Sequence, residues 1–219
     1  VSGIIEYLQE HGCRNLTIAE GSWVGDCTAE VMEVCGYYEL AEKYGVRLID
    51  AQKEGFFEED CGGLKLRLTN CVKTFDFLIN VPVVKGHCQT KITCALKNMK
   101  GLLPNAEKRH FHAMGLHRPI AHLALGIHQD FIVADHICGD LDFEDGDPVV
   151  RNCIMAAADP VLLDAYVCNL LHYDCSEVPY IGMAEALGAG SADLTNIQVA
   201  VCEQCHTANM DLTEERTET

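Results

Sequence analysis

The sequence has no apolar run near the roughly 20 residues that span a bilayer, and no basic start leading through an apolar stretch to a cleavage site. Neither a membrane-spanning helix nor an export signal is expected, so the expected location is cytoplasmic. Basic residues are also scarce: 16 Lys and Arg stand against 33 Asp and Glu, giving a net charge of −17. A field of that sign repels nucleic acid and anionic membrane surfaces over the ~10 Å reach of electrostatics in salt, and neither is an expected partner. There is no H-E-x-x-H, no H-x-H completed by cysteine, and no ferredoxin run of four closely spaced cysteines. A histidine-ligated zinc site is therefore disfavoured, although seven of the ten histidines lie from His87 to His136.

Cysteine itself is plentiful, with thirteen residues, but the count is odd and most spacings are irregular. In a reducing cytoplasm this predicts free thiols rather than a disulfide framework, and it suits an anaerobic host. One pair, Cys202-Glu-Gln-Cys205, has the spacing of half an iron-sulfur or zinc site, or of a redox dithiol. A cluster there needs two more ligands from distant residues, a second subunit or a further segment. The alternative is a fortuitous pair of reduced thiols.

One absence is local. No acidic residue occurs between Asp76 and Glu107, while Lys85, Lys91, Lys97 and Lys100 all fall there. Phe77 to Val84 is a near-continuous apolar run with β-branched residues, which predicts a strand covered on both faces. Lys85-Gly-His-Cys-Gln-Thr interrupts it, and Thr90 is placed to cap a helix through Ile92, Leu96, Met99 and Leu103 that Pro104 stops. A loop from a strand's carboxyl end to a helix's amino end presents backbone N–H groups and binds anions. Exposed lysines often merely solvate a helix face. Lys85 and His87, directly at the strand's end, are the ligand-facing candidates.

At 219 residues, 48% hydrophobic and 22% charged, the chain predicts one α/β domain over residues 1–219: a mostly parallel open sheet with helices on both faces. Val1 enters at once into a helical segment, which predicts an incomplete amino terminus, and residues 202–219 form a polar tail. Strands are expected at 15–19, 46–49, 64–68, 77–84, 131–134, 152–158 and 196–201. Helices are expected at 2–11, from a cap at Asp26 to Gly45, from 90 to 103, from 119 to 128, from Pro160 after an Asp159 cap, and from 179 to 187. Residues 105–118 read as a mobile polar loop whose Arg109 and His112 fold over the bound anion as a lid. The acidic stretch 139–148 lacks calcium-loop spacing and reads as a solvated turn.

If the strands are parallel, Glu20, Ser22, Asp50, Lys85, His87 and Asp135 emerge along one carboxyl-end crest. Asp135 then either neutralises Lys85 or orients His87 as a general base. The Pro160 helix is apolar nearly all round except for Asp164 and Asn169, so Asp164 must be paired, either joining two elements or reaching the cleft. Cys88 and Cys94 flank the basic helix, where a lowered thiol pKa or simple packing are the two readings.

The ordered series VPVVKGH, the Thr90 to Thr93 turn, LKNMKGLLP, Arg109 with His112, the Asp135-His-Ile-Cys-Gly139 strand end and Ala158-Asp-Pro-Val-Leu-Leu-Asp164-Ala resembles domain-of-unknown-function family 362. The resemblance covers Gly12 to Val201, with a departure at Asp147, where the family has a glycine before Pro148. It implies a bacterial or archaeal protein of the kind described as iron-sulfur-centre proteins, sometimes joined to a ferredoxin-like domain. No reaction comes with it.

Two functions remain open. In the first, a small-molecule enzyme, redox-linked or not, holds an anionic substrate with Lys85, Thr90, Lys97, Asn98, Arg109 and His112, while His87 and Asp135 transfer protons. In the second, a non-catalytic module carries an iron-sulfur cluster or metal through Cys202, Cys205 and other thiols, with a ferredoxin-like protein as partner.

Overall fold

The computed structural model describes residues 1–142, 147–195 and 197–202. In chain order the elements are α1 (Ser2–Glu10), β1 (Thr17–Glu20), α2 (Thr28–Val34), α3 (Tyr37–Tyr44), β2 (Arg47–Asp50), β3 (Phe56–Asp60) and β4 (Lys65–Thr69). There follow β5 (Ile79–Asn80), β6 (Lys85–His87), β7 (Lys91–Thr93), α4 (Ala95–Asn98), α5 (Asn105–Met114) and α6 (His117–Gly126). The last are β8 (Phe131–Gly139), β9 (Val149–Ala157), α7 (Pro160–Leu170) and α8 (Pro179–Ala186).

The mixture of helices and strands is as expected; the sheet is not. The described strands form four small sheets: β1–β2 parallel, β3–β4 antiparallel, β6–β7 antiparallel, and β5–β8–β9, in which β5–β8 is parallel and β8–β9 antiparallel. Two physical causes break the single parallel sheet. Residues 88–90 turn the chain back on itself, so β6 enters a hairpin with β7 instead of leading straight into a helix. Between β1 and β5 the sheets do not meet at all.

β8 runs nine residues, well past the four expected, because its far half pairs with β9 around an irregularity between His136 and Cys138. The β5 run continues beside it after Pro82: Val84 N–H donates to the Asp135 carbonyl, and Gly86 N–H to the Asp140 carbonyl, each at 2.8 Å. One face of β8, with Ile132 and Ala134, is fully buried in the core under the helices. On the other face Phe131 and Ile137 are exposed and border a groove over which Ile4 and Tyr7 of α1 lie.

Several local expectations are corrected. The helix expected from Asp26 to Gly45 is two helices, because Gly36 adopts φ 71°, a left-handed conformation that interrupts the first. The first residue before α2 is Cys27, and no side chain caps it. Residues 105–118 are α5 and the start of α6, not a loop. The acidic, glycine-rich stretch 53–63 contains β3. Residues 197–201 contain no strand, and Asn196 lies outside the described residues. By contrast, the start of α7 forms as expected: Asp159 Oδ1 accepts the N–H groups of Val161 and Leu162 at 2.8 and 3.0 Å, ahead of Pro160.

Candidate functional site

The hairpin of β6 and β7 is closed by a side chain. His87 Nδ1 accepts the N–H groups of Gln89 and Thr90 at 3.1 and 3.2 Å, and Thr90 Oγ1 donates to the Ile92 carbonyl at 3.1 Å. Thr90 therefore shapes the turn and caps no helix. Because Nδ1 is an acceptor for two donors, the ring proton sits on Nε2. Burial and the nearby charges of Lys97, Lys100, Lys85 and His112 push the His87 pKa down to about 3, so the imidazole is neutral at physiological pH.

These same charges define the site. Lys85 comes from β6, Lys97 from α4, Lys100 from the turn that follows it, and His112 from α5. Lys97 is only 8% exposed, and its Nζ donates to Thr93 Oγ1 at 2.8 Å. Gly86 permits the close approach of the next wall: a Cβ there would lie 2.5 Å from the Asp142 backbone. Phe143 to Gly146, in the acidic stretch expected to be a solvated turn, lie outside the described residues.

A second, mixed-charge cluster adjoins it at the ends of β1 and β2, where Glu20 pairs in register with Asp50. Lys108 of α5 is buried there and donates to the carbonyls of Gly21 and Ser22 at 2.9 and 2.8 Å. Burial lowers its pKa to about 8 and Lys100 pushes the same way, against the pull of Glu20 and Asp50. Lys100 thus acts on both clusters.

The amino end of α4 is not an anion site for an outside ligand. The helix has four residues, and its first N–H groups, Ala95 and Leu96, donate to Asp164 Oδ1 and Oδ2 at 2.7 and 3.3 Å. Asp164 therefore joins α7 to α4 instead of reaching a cleft. Its pKa rises to about 7 through complete burial, opposed by those N–H groups, the Cys94 thiol and, more weakly, the nearby Tyr180 hydroxyl. Cys94 is buried with its thiol pKa raised, the opposite of an activated cysteine.

Other candidate residues take different places. Asn98 Nδ2 donates to Asn80 Oδ1 at 2.7 Å, and Asn80 Nδ2 reaches the Ala95 carbonyl and Gln129 Oε1, a buried amide network beside the site. Asp135 accepts from Ile137 N–H of its own strand at 2.8 Å and borders the apolar groove with Val83, Val133 and Ile154. Arg109 is exposed on α5. Cys202 is exposed, and Cys205 lies outside the described residues. Among the described residues no three His, Cys, Asp or Glu side chains are grouped to hold a metal ion.

Sequence reasoning passed over Lys100 and Lys108 as site residues. Lys100 carried a signal, its i, i+3 spacing from Lys97; Lys108 carried none.

The family model described as "Domain of unknown function (DUF362)" matches residues 1–169. The chain belongs to this family. The chain is also similar to the thylakoid-associated protein sll1697 of Synechocystis sp. (strain ATCC 27184 / PCC 6803 / Kazusa), 25% identical over 211 residues. That match covers 89% of this chain, and the chain spans 63% of the relative's length. No solved structure matches this DUF362 chain. None of its described helices is long and apolar enough to cross a membrane.

Proposed function

We propose that this DUF362 protein is a small-molecule enzyme that holds an anionic substrate against Lys85, Lys97, Lys100 and His112, with His87 beside it. The observation that carries this reading is the convergence of four cationic or potentially cationic side chains, from β6, α4, α5 and the turn between them, on one buried imidazole. The chain as a whole carries a net charge of −17, so this is a local concentration of positive charge.

His87 acts as a neutral donor. With Nδ1 held by two backbone N–H groups and the pKa near 3, it offers Nε2–H to a carbonyl or phosphoryl oxygen, polarising it without giving up a full proton. In this role His87 is a hydrogen-bond donor and not a general base oriented by Asp135. Lys85 and Lys97 supply the charge that binds a carboxylate or phosphate, while Thr90 holds the turn and Asn98 holds the Asn80 side chain.

The test is thermal denaturation in rising inorganic phosphate, with sodium chloride at matched ionic strength as the control. Binding raises Tm, by an amount equivalent to about 2.7 kcal/mol at a hundredfold excess over Kd, and Lys85→Ala, a half-buried and non-core change, reduces that rise. An equal rise in sodium chloride, or an undiminished phosphate effect in Lys85→Ala, removes the site.

A further inference from the structure

The chain's one tryptophan is not in the core. Trp23 is 69% exposed, on the segment between the end of β1 and the start of α2, although tryptophan is on average a well-buried residue. The turn that carries it is clamped. Asp26 N–H donates to the Trp23 carbonyl at 3.0 Å, while Gln52 Nε2 donates to Ser22 Oγ at 3.0 Å and to the Asp26 carbonyl at 3.1 Å. Gln52 Oε1 accepts the Thr28 N–H at 3.1 Å, and Lys108 holds the carbonyls of Gly21 and Ser22. The indole lies back over Gly25, where a Cβ would come within 1.6 Å of the ring. The turn therefore supports the ring and leaves most of it open to solvent.

This turn adjoins the anion site. Lys108, which holds it, is four residues from His112 on the same side of α5, about 6 Å along the helix. Lys100 acts on both Lys108 and His87. At the junction stand Glu20 and Asp50, paired in register at the carboxyl ends of the parallel strands β1 and β2, the end at which open α/β sheets take ligands. Glu20 Oε1 lies 3.7 Å from where a Cβ on Gly101, next to Lys100, would be. It accepts the Gly21 N–H; Asp50 Oδ1 accepts that of Gln52, with exposed Lys53 3.3 Å from Oδ2. Carboxylates repel an anion, but they have lone pairs for hydroxyl donors.

We propose, resting on the anion site described above, that its substrate is a nucleotide: the phosphate meets Lys85 and Lys97, the sugar hydroxyls meet Glu20 and Asp50, and the base stacks on Trp23. The order of charge along the crest dictates this layout. An anionic group is favoured only at the lysine end, so whatever reaches past Glu20 and Asp50 is uncharged and bears hydroxyls. The span from His112 to Lys108 is one helical turn, a length that a pentose between phosphate and ring covers. Beyond it stands an anchored indole, and stacking on an aromatic side chain tolerates every base. The arrangement therefore separates nucleotides from bare sugar phosphates without choosing among bases.

Because Trp23 is the only indole, its fluorescence reports on the ring directly. The chain is titrated with adenosine monophosphate, ribose phosphate and adenosine, following emission and Tm. Adenosine monophosphate is expected to quench Trp23 and to bind about ten- to a hundredfold more tightly than ribose phosphate. Trp23→Ala, an exposed change, abolishes that difference and leaves the ribose phosphate effect intact; Trp23→Phe keeps most of it. Adenosine monophosphate binding no tighter than ribose phosphate overturns the nucleotide assignment, as does a Trp23→Ala chain that weakens both alike. A ribose phosphate effect that still depends on Lys85 would then leave the anion site standing. Adenosine binding as tightly as its monophosphate also overturns the assignment, since such a ligand makes no use of the lysines. No response to either phosphate overturns both readings.

Discussion

The carboxylate of Asp164 in α7 accepts the backbone N–H of Ala95 at the start of α4, 2.7 Å away and 69 positions earlier in the chain. This bond decides how the basic segment works. The positive end of α4 is already answered from within the protein, so any outside anion depends on the side chains of Lys85, Lys97, Lys100 and His112. It also fixes Lys97, two residues beyond Ala95, in its buried position.

Asp164→Ala leaves two buried N–H groups without an acceptor, and the expected loss is about 3 kcal/mol. For a chain of this size that lowers Tm by roughly 6–12 °C. Asp164→Asn keeps one acceptor oxygen and costs less. The native carboxyl, with its pKa raised from 3.8 to about 7, binds protons that the unfolded chain has released, so its contribution to stability falls as pH rises from about 4 to about 7. Tm measured across that range should lose this component in Asp164→Asn; an unchanged profile places the titration elsewhere.

His87 gives the opposite sign. Its native pKa lies near 3 against an ordinary 6.5, so between those values the unfolded chain binds the proton and the folded one does not. Its contribution is complete above about 6.5 and is lost as pH falls towards 3. In His87→Asn, whose side-chain oxygen is an uncharged acceptor for the turn, the decline of Tm from pH 6.5 to pH 4 should be shallower than in the native chain. A parallel decline in the two proteins contradicts the assignment of a neutral, buried imidazole.

The legible parts of the fold were those written in local pattern. Alternation in Lys65 to Leu68 reappears as exposed and buried residues along β4, and Asp159-Pro160 opens a helix as its chemistry requires. α5 was hidden because its polar residues outnumber its apolar anchors, of which Phe111 is fully buried. β8 was read too short, since Asp135 and His136 look like a strand's polar end while β9, a long-range partner, carries the strand on to Gly139. The basic cluster was visible as charge, but the turn role of Thr90 was not, because the same residue type caps helices and closes hairpins. Nor could the destination of Asp164 be read, since nothing local to it marks Ala95.

Lys108 and Arg109 are adjacent in sequence and differ in consequence. Lys108→Met removes the charged donor to the carbonyls of Gly21 and Ser22, and the expected cost is about 2 kcal/mol. Arg109→Ala, at an exposed position of the same helix, should change stability by no more than about 0.5 kcal/mol. Urea denaturation of both variants checks the contrast; equal losses would mean that α5 is held to the end of β1 by something other than the Lys108 ammonium.

Two glycines test the packing of the site wall against an ordinary helix. Gly86→Ala places a Cβ 2.5 Å from the Asp142 backbone and 2.7 Å from the Leu141 carbonyl oxygen, so the chain after β8 must move away from the hairpin that holds His87. Overpacking of this kind costs about 1–3 kcal/mol, and displacement of that wall should raise the exchange rate of the Gly86 amide, which donates to the Asp140 carbonyl. Gly182 lies inside α8 with nothing within 4 Å of an added Cβ. Gly182→Ala is therefore expected to stabilise the chain by about 0.5–1 kcal/mol through helix propensity alone. Thermal denaturation of the pair separates the two cases: a Gly86→Ala protein as stable as Gly182→Ala would show that the segment after Gly139 does not pack on β6.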